Sequence, residues 1–545
     1  MDNPQLLASS NPPTWLKILV ISLIGLGIFF RFAHLGQKIY CCDESSTSVA
    51  ISGHTVAELE QEVSHHQGTI PITTFDKYQH INSDRGVADT VNYLITSDPQ
   101  HPPLYYVMVR LWAQVFGDSP IGVRSLSALI SLLIFPSVYW LCLELFESAV
   151  VGWVAMALIA VSPLQLFFAQ EARQYSLWMV EILVSSAALL RAIRQENKAN
   201  WAVYTLTLAL GLYSHLFTVL VMIAHGIYVV IQQQFRFTKT FFNYLLSTIA
   251  AFLMLLPWLI VLITHLSTAL ELTSAFAIRW INNPFELLAI FMIRVSRTFF
   301  DLNLTSDTLV FNSFTLEGSL FYSIPTLILS LFLIIYLILF FGKVPPNKTS
   351  LLIFLLGGFP SLLLVIYDLI FGGSRSLQVR YQLPLYLSLE IIVAYVLAFY
   401  IFTEQTWRQK IAQFIIVGLL IAGLVSDVRF FQAENWWTQL DNQFIKETSQ
   451  VIRKSEKPLL IINNSRVNLG GILTLSNYFP KVRLLPIADD ELLPIPQNYS
   501  QILFMQNNSS LFHQLKQDKS YHLKVIKVLN LPPGGLWQFD KVDKL

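Results

Sequence analysis

About eleven long apolar runs pass through this chain, and they restrict it to one class of fold. A helix needs about 20 mostly apolar residues to cross a bilayer. Candidate spans lie at residues 15–33, 121–143, 149–168, 174–194, 201–213, 215–232, 241–265, 318–342, 351–371, 381–402 and 411–431. The fifth is short and reads as broken or tilted. Charged residues make up 13% of the 545 residues, against about 25% in an average soluble domain. The chain therefore reads as a polytopic α-helical membrane protein of about 11 to 13 spans. A net charge of +1 gives no broad attraction to nucleic acid. Three cysteines, of which Cys41 and Cys42 are adjacent, make neither a disulfide framework nor a zinc signature. Arg31 follows the mostly apolar stretch 15–30 with no small-residue cleavage site beyond it, which reads as an uncleaved anchor.

Lysine and arginine in short loops set the expected orientation. Arg191, Arg194 and Lys198 follow the fourth run, Arg236 and Lys239 the sixth, Lys343 and Lys348 the eighth, and Arg408 and Lys410 the tenth. With the N-terminus inside, all four loops fall on the cytoplasmic side and the C-terminal tail lies outside. Counting residues 103–116 as a further span would invert the later loops. That segment is read as a juxtamembrane or membrane-dipping helix on the outer side, with a tight hairpin through the membrane as the alternative. Residues 1–431 then form the membrane domain, with outer loops at 34–102 and 266–317, and residues 432–545 form a small extracytoplasmic α/β domain. Surface helices are expected at 47–63 and 87–96. An interfacial helix is expected over 277–297, where Trp280, Phe285, Phe291 and Met292 mix with Arg279, Arg294 and Arg297. In the tail, residues 459–462, 482–485, 501–505 and 523–529 read as strands, residues 470–478 and 509–517 as helices, and Asp489-Asp490-Glu491 as a loop, with a cation site as its alternative.

Four polar clusters stand on the outer side. Asp43 and Glu44 follow the first span, where a carboxylate can take a proton from an attacking hydroxyl or amine. Asp43 equally suits the cap of a helix beginning near Ser45. His101-Pro102-Pro103-Leu104-Tyr105-Tyr106 opens a helix in an aromatic belt, and its prolines fix how the helix begins. His101 there can orient a carboxylate or meet a phosphate. The turn Gln170-Glu171-Ala172-Arg173-Gln174-Tyr175 puts an arginine where outer loops are poor in them, so Arg173 requires an anionic head group or Glu171. Arg375 and Arg380, with Tyr381, make a phosphate grip or a lipid head-group anchor. Within the spans, Glu181, Glu390, His215 and His225 are expected to face the bundle interior, with His215 near an outer end. There is no Walker loop and no glycine-rich dinucleotide fingerprint, which disfavours a nucleotide-driven pump. An outer carboxylate with His101 is compatible with a divalent metal, although no ligand spacing demands one and no other cofactor is indicated.

Taken in order, these pieces resemble the GT-C glycosyltransferases related to protein O-mannosyltransferases and bacterial aminoarabinose transferases (glycosyltransferase family 39). The matching pieces are Asp43-Glu44, His101-Pro102-Pro103-Leu104-Tyr105-Tyr106, Phe116-Gly117-Asp118-Ser119, Arg124, the Gln170–Tyr175 turn, Tyr213-Ser214-His215, Leu256-Pro257-Trp258, and Arg380-Tyr381 with Pro384. They extend over roughly residues 15–431, and the tail matches less clearly. The resemblance implies a polyprenyl-phosphate-linked sugar as donor and an unspecified lipid, glycan or protein acceptor outside the cytoplasm. It casts Asp43 as the acidic catalytic residue, with Glu44 beside it. Arg380 and Tyr381 would sit near the donor phosphate, helped by Arg173 or Arg375, and His101, Tyr105, Glu171 and His215 would line the substrate cavity. The expected location is a bacterial plasma membrane, with Asp43 and the arginines in one extracytoplasmic pocket. The aminoarabinose enzymes have a lysine where His101 stands, which argues against transfer of that sugar to lipid A. A transporter or flippase for a lipid-linked sugar is the alternative, although no inverted repeat is visible. A third reading is a non-catalytic assembly protein on the same scaffold.

Overall fold

A computed structural model describes residues 11–40, 43–65, 68–274, 283–303, 348–403, 407–436, 440–455, 457–463, 466–487, 499, 501–504, 510–518, 520–528 and 535–541. The expected span 318–342, the adjacent Cys41 and Cys42, residues 277–282 and the Asp489-Asp490-Glu491 run lie outside the described residues. In chain order the helices before the break of the third span are α1 (Thr14–Phe32), α2 (Asp43–Ser52), α3 (Val56–His65), α4 (Val87–Ser97), α5 (Leu104–Phe116), α6 (Pro120–Ser131), α7 (Ile134–Phe146) and α8 (Ala149–Ala160). There follow α9 (Pro163–Ala169), α10 (Tyr175–Gln195), α11 (Lys198–Ser214), α12 (Thr218–Gln232), α13 (Lys239–Thr264), α14 (Leu266–Thr273), α15 (Pro284–Ser296), α16 (Lys348–Phe371), α17 (Leu383–Thr403) and α18 (Trp407–Gln432). Among the described residues, seven helical segments are long and apolar enough to cross a membrane, or eight with the bent pair α8–α9 counted as one. The protein is thus a polytopic membrane protein. Helix α5 has 13 residues, about 20 Å at 1.5 Å per residue, too short for a hydrocarbon core of about 30 Å.

The chain divides into two compact units. The first comprises residues 1–35, 98–105 and 124–433 and holds the membrane bundle. In it α7 packs on α8 and α10, α10 on α11, α11 on α13, α8 on α1 and α17, and α16 on α12 and α17. Glu144 at the end of α7 forms ion pairs with Arg194 (2.5 Å) and Arg191 (3.7 Å) at the end of α10. The two spans therefore finish at the same face.

The third span departs from expectation. Residues 149–168 read as one helix, but the structure breaks them at Val161 and bends α9 by 66° from α8. Pro163 has no N–H to continue the ladder, and Ser162 Oγ accepts from Gln165 N (3.5 Å) to start a new helix. The freed carbonyls of α8 are taken by Arg31 of α1, whose guanidinium donates to Ile159 O (3.2 Å), Ala160 O (3.4 Å) and Gly27 O (3.0 Å). Gly27 allows that approach, because a Cβ there would lie 2.5 Å from Ala160 O. Glu390 of α17 and Asp427 of α18 offset the buried charge of Arg31, and Gln165 Nε2 donates to Glu390 (2.9 Å). Of the interfacial helix expected over 277–297, the described part is α15, which exposes Phe285 and Leu288 and buries Leu287, Ile290 and Ile293. Arg294 turns inward and donates to the Leu377 carbonyl.

The second unit comprises residues 36–97, 106–123 and 434–545. Its tail carries α19 (Leu440–Arg453), β2 (Pro458–Asn463), α20 (Arg466–Tyr478), β3 (Arg483–Ile487), β4 (Gln501–Phe504), α21 (Ser510–Gln517), β5 (Tyr521–Val528) and β6 (Gly535–Lys541). A short strand β1 (Ile70–Pro71) from the first loop completes a sheet of order β1-β3-β2-β4-β6-β5. The central strands β3, β2 and β4 are parallel, while β1, β6 and β5 pair antiparallel. Leu459, Ile461, Leu485, Ile502, Phe504 and Phe539 bury one sheet face against Leu511 and Leu515 of α21. The single helix expected over 47–63 is two helices. Gly53 adopts φ +82°, a conformation that side chains with a Cβ resist. Thr55 and Glu58 then form a capping box: Glu58 N donates to Thr55 Oγ1 (3.2 Å), and Thr55 N donates to Glu58 Oε2 (2.8 Å).

Partial burial raises the Glu58 pKa, but the Thr55 N–H and the Arg85 guanidinium (2.8 Å) outweigh it and leave the carboxyl below its usual value. A depressed carboxyl stabilises the fold fully above its unfolded pKa and loses that contribution as pH falls through the folded value. Amide protection of α3 should therefore be intact at neutral pH and decline on acidification through and below the ordinary carboxylate range. Thr55→Ala should lower local stability by about 1 kcal/mol, read as faster exchange over residues 55–65.

Candidate functional site

In the first unit the site grows from the helix break. Helix α9 is too short to do more than turn the chain, and it delivers the sharp turn 170–174 that precedes α10. Gln170 Nε2 donates to Phe30 O (2.7 Å) and Ala33 O (2.9 Å), which fastens this turn to the last turn of α1. Inside the turn, Arg173 N donates to Glu171 O (2.7 Å), and both side chains are buried.

Arg173 Nη2 lies 3.0 Å from His101 Nε2, and His101 Nδ1 lies 2.8 Å from Asp98 Oδ1. A guanidinium has only donors. The imidazole therefore accepts at Nε2 and donates its proton from Nδ1 to Asp98, which fixes one tautomer and the plane of the ring. Ser127 Oγ donates to Arg173 O (3.4 Å), and Tyr105 Oη lies 2.6 Å from Ser127 Oγ. Tyr105 thus supports the backbone that carries Arg173.

Arg380 approaches from a short 3-10 turn, Val379–Tyr381, ahead of α17. Its Nη1 donates to Tyr175 Oη (3.3 Å), and its guanidinium stands 5.7 Å from the Tyr381 ring. His215, just after α11, stacks on Trp178 with centroids 4.0 Å apart and planes 12° apart. Its Nδ1 accepts from Phe217 N (3.2 Å), which leaves the proton on Nε2. Trp178 Nε1 donates to Thr218 Oγ1 (3.0 Å), so the stack is held from both sides. His101, Arg380 and Arg173 are all near enough to act electrostatically on His215. The Tyr381 ring lies 6.5 Å from His215 and 4.8 Å from Phe217.

Six side chains thus come together: His101, Arg173, Tyr175, His215, Arg380 and Tyr381. The cluster is rich in cations and phenols, chemistry suited to a phosphate. Arg375 is directed elsewhere, with Nη1 3.9 Å from Asp368 Oδ1 and its guanidinium 4.9 Å from the Tyr367 ring. Asp98 and Trp178 were not anticipated. Asp98 had a readable signal, since it stands three residues before His101 ahead of two prolines. Trp178 had none, because its role depends on the return of α11.

In the second unit, Asp43 and Glu44 occupy the first turn of α2. Glu44 is buried and Asp43 is half-buried. The helix beyond them is polar yet buried, with Ser45, Thr47, Ser48 and Ser52 all enclosed. Among the described residues, no group of three or more His, Cys, Asp or Glu side chains gathers as metal ligands would.

A family model described as dolichyl-phosphate-mannose-protein mannosyltransferase matches residues 100–261, the segment that supplies His101, Arg173, Tyr175 and His215. Among solved structures, the chain is similar to ArnT from Cupriavidus metallidurans bound to undecaprenyl phosphate, at 11% identity and a TM-score of 0.50, over 98% of this chain and 99% of that one. It is also similar to the Archaeoglobus fulgidus oligosaccharyltransferase tethered to an acceptor peptide, at 13% identity and a TM-score of 0.43, over 87% of this chain and 64% of that one. No curated protein sequence matches it.

Inorganic phosphate should bind the detergent-solubilised protein at this cluster, and Arg173→Ala or Arg380→Ala should weaken that binding about tenfold or more, as loss of a charge-assisted hydrogen bond does. Arg375→Ala, with Asp368 as its neighbour, should stay within about twofold. Isothermal titration or tryptophan quenching reads all three.

Proposed function

From a chain with the GT-C glycosyltransferase fold, we propose an enzyme that moves a sugar from a polyprenyl-phosphate donor to an acceptor outside the cytoplasm, in a bacterial plasma membrane. The observation that carries this reading is the contact of Arg173 with His101, inside the matched segment and beside Arg380 and Tyr175. Two guanidinium groups and a phenol directed at one place form a receptor for a phosphate monoester or diester.

The chemistry is direct displacement. Asp43 takes the proton from an acceptor hydroxyl or amine. The acceptor atom bonds to the anomeric carbon as the bond from that carbon to the phosphate oxygen breaks. The electron pair leaves on polyprenyl phosphate, and the anomeric configuration inverts. Arg380 and Arg173 stabilise the charge that grows on the departing phosphate, an electrostatic contribution that is often the largest in catalysis. Phosphate is a good leaving group, so no strong general acid is needed. Buried Glu44 braces the start of α2, and Glu171 balances the charge of Arg173. His215, held flat on Trp178, offers Nε2–H to the donor. The transporter alternative draws no support from the fold.

Purified protein should release polyprenyl phosphate from at least one member of a panel of synthetic polyprenyl-phosphate sugars, given a membrane extract as acceptor. Asp43→Asn should reduce that release by about 10² or more, the range of a lost general base. Wild-type turnover in a folded Asp43→Asn variant would remove Asp43 from the mechanism. No release from any donor in the panel would remove the glycosyl-transfer reading itself.

A further inference from the structure

Helix α2 presents a physical problem. Its sequence, Asp-Glu-Ser-Ser-Thr-Ser-Val-Ala-Ile-Ser, offers no apolar stripe, yet Ser45, Thr47, Ser48 and Ser52 are almost wholly buried. Buried hydroxyls need hydrogen-bond partners, and fully satisfied polar networks define one geometry more sharply than apolar packing does. Two of these hydroxyls are answered locally, Thr47 by Asp43 O (3.4 Å) and Ser52 by Val49 O (2.8 Å). The others are answered from outside the helix. Ser48 Oγ meets Tyr40 Oη (2.7 Å), and Ser45 Oγ meets Thr474 Oγ1 of α20 (3.2 Å). On the other side of Asp43, Tyr40 N donates to Tyr478 Oη (2.9 Å), also from α20. The same helix is tied to the first loop through Gln79, which donates to Ser476 Oγ (2.8 Å) and accepts from Asn477 Nδ2 (2.8 Å).

One helix of the tail therefore grips the chain both before and after Asp43, at Tyr40 and at Ser45. From the opposite end, Arg110 of α5 donates to the Ile51 and Arg85 carbonyls and closes the last turn of α2. We infer that α20 of the C-terminal domain sets the position of Asp43, with Tyr478 and Thr474 as positioning residues that touch neither donor nor acceptor. The inference rests on the reading of Asp43 as the base. It gives the tail a role in turnover, in addition to its own stability. Removing the Tyr478 hydroxyl leaves the Tyr40 N–H without that acceptor, and removing the Thr474 hydroxyl leaves Ser45 without that partner. Each change frees the start of α2 while leaving the sheet core untouched.

The test uses the full-length protein in nanodiscs, with Tyr478→Phe/Thr474→Val, Thr474→Ser and Asp43→Asn compared with wild type. Hydrogen exchange of peptides covering residues 40–52 needs no substrate. It should be faster in the double variant, unchanged in Thr474→Ser, and accompanied by wild-type protection of β2, β3 and β4. With whichever polyprenyl-phosphate sugar the wild type turns over, kcat should fall at least tenfold in the double variant while the donor KM stays within twofold. Thr474→Ser should retain activity. Unchanged exchange over 40–52 overturns the inference, as does faster exchange with wild-type kcat when Asp43→Asn is inactive. If Asp43→Asn keeps wild-type turnover, the assignment of the base fails first and takes the inference with it. If no donor in the panel is turned over, the glycosyl-transfer reading fails and the inference falls with it, whatever the exchange shows.

Discussion

The membrane unit depends on how a broken helix is satisfied inside lipid. Breaking α8 from α9 at Val161-Ser162 leaves carbonyls with no intrahelical donor, and a bilayer has no water to supply one. Arg31 supplies the hydrogens, fixed by Gly27 at its back and by the ring of Phe135, 5.2 Å from its guanidinium. A charge at that depth is costly unless it is paired, and Asp427 and Glu390 provide the pairing from two other spans. Helices α1, α8, α17 and α18 are thus joined by one polar junction. The redirected chain then runs through α9 into the turn that carries Glu171 and Arg173, and Gln170 fastens that turn to the end of α1. The placement of Arg173 in this unit follows from that junction.

The cation cluster itself is made of groups with different duties. Arg173 and Arg380 carry fixed charge, while His101 and His215 are oriented by Asp98 and by the Trp178 stack. Orientation matters because a neutral imidazole has one donor and one acceptor, and a wrong tautomer reverses them. Arg375 shows how little proximity in sequence decides. It stands five residues before Arg380 in the same segment, but its guanidinium lies 3.9 Å from Asp368 in the last turn of α16.

The second unit solves a different problem, that of holding a polar helix in place. Its α/β sheet is an ordinary core of Leu, Ile and Phe, but α20 turns a hydroxyl-bearing face toward α2 and the first loop. Sheet and loop are also joined through β1, which pairs with β3. Much of this was legible in outline. Four of the strands and two of the tail helices follow from alternation and apolar clustering. Strand β6 is not evident in the sequence because it begins at a glycine directly after Pro532-Pro533-Gly534, and α19 is not evident because its sequence is too polar to look like a core helix. The Thr55–Glu58 capping box was present in the letters, and reading it would have split the helix expected over 47–63.

The amino-acid sequence by itself determined the membrane class, the number of apolar runs, and the short polar motifs that meet in the cation cluster. Those properties come from composition and local spacing, which no partner can alter. Only the tertiary structure decided where α8 breaks, which arginine joins the imidazoles, and what surrounds the buried serines of α2. Those outcomes turn on donors meeting acceptors 72 to 429 residues away along the chain, and such pairings have no local signature because hydrogen bonds depend on distance in space.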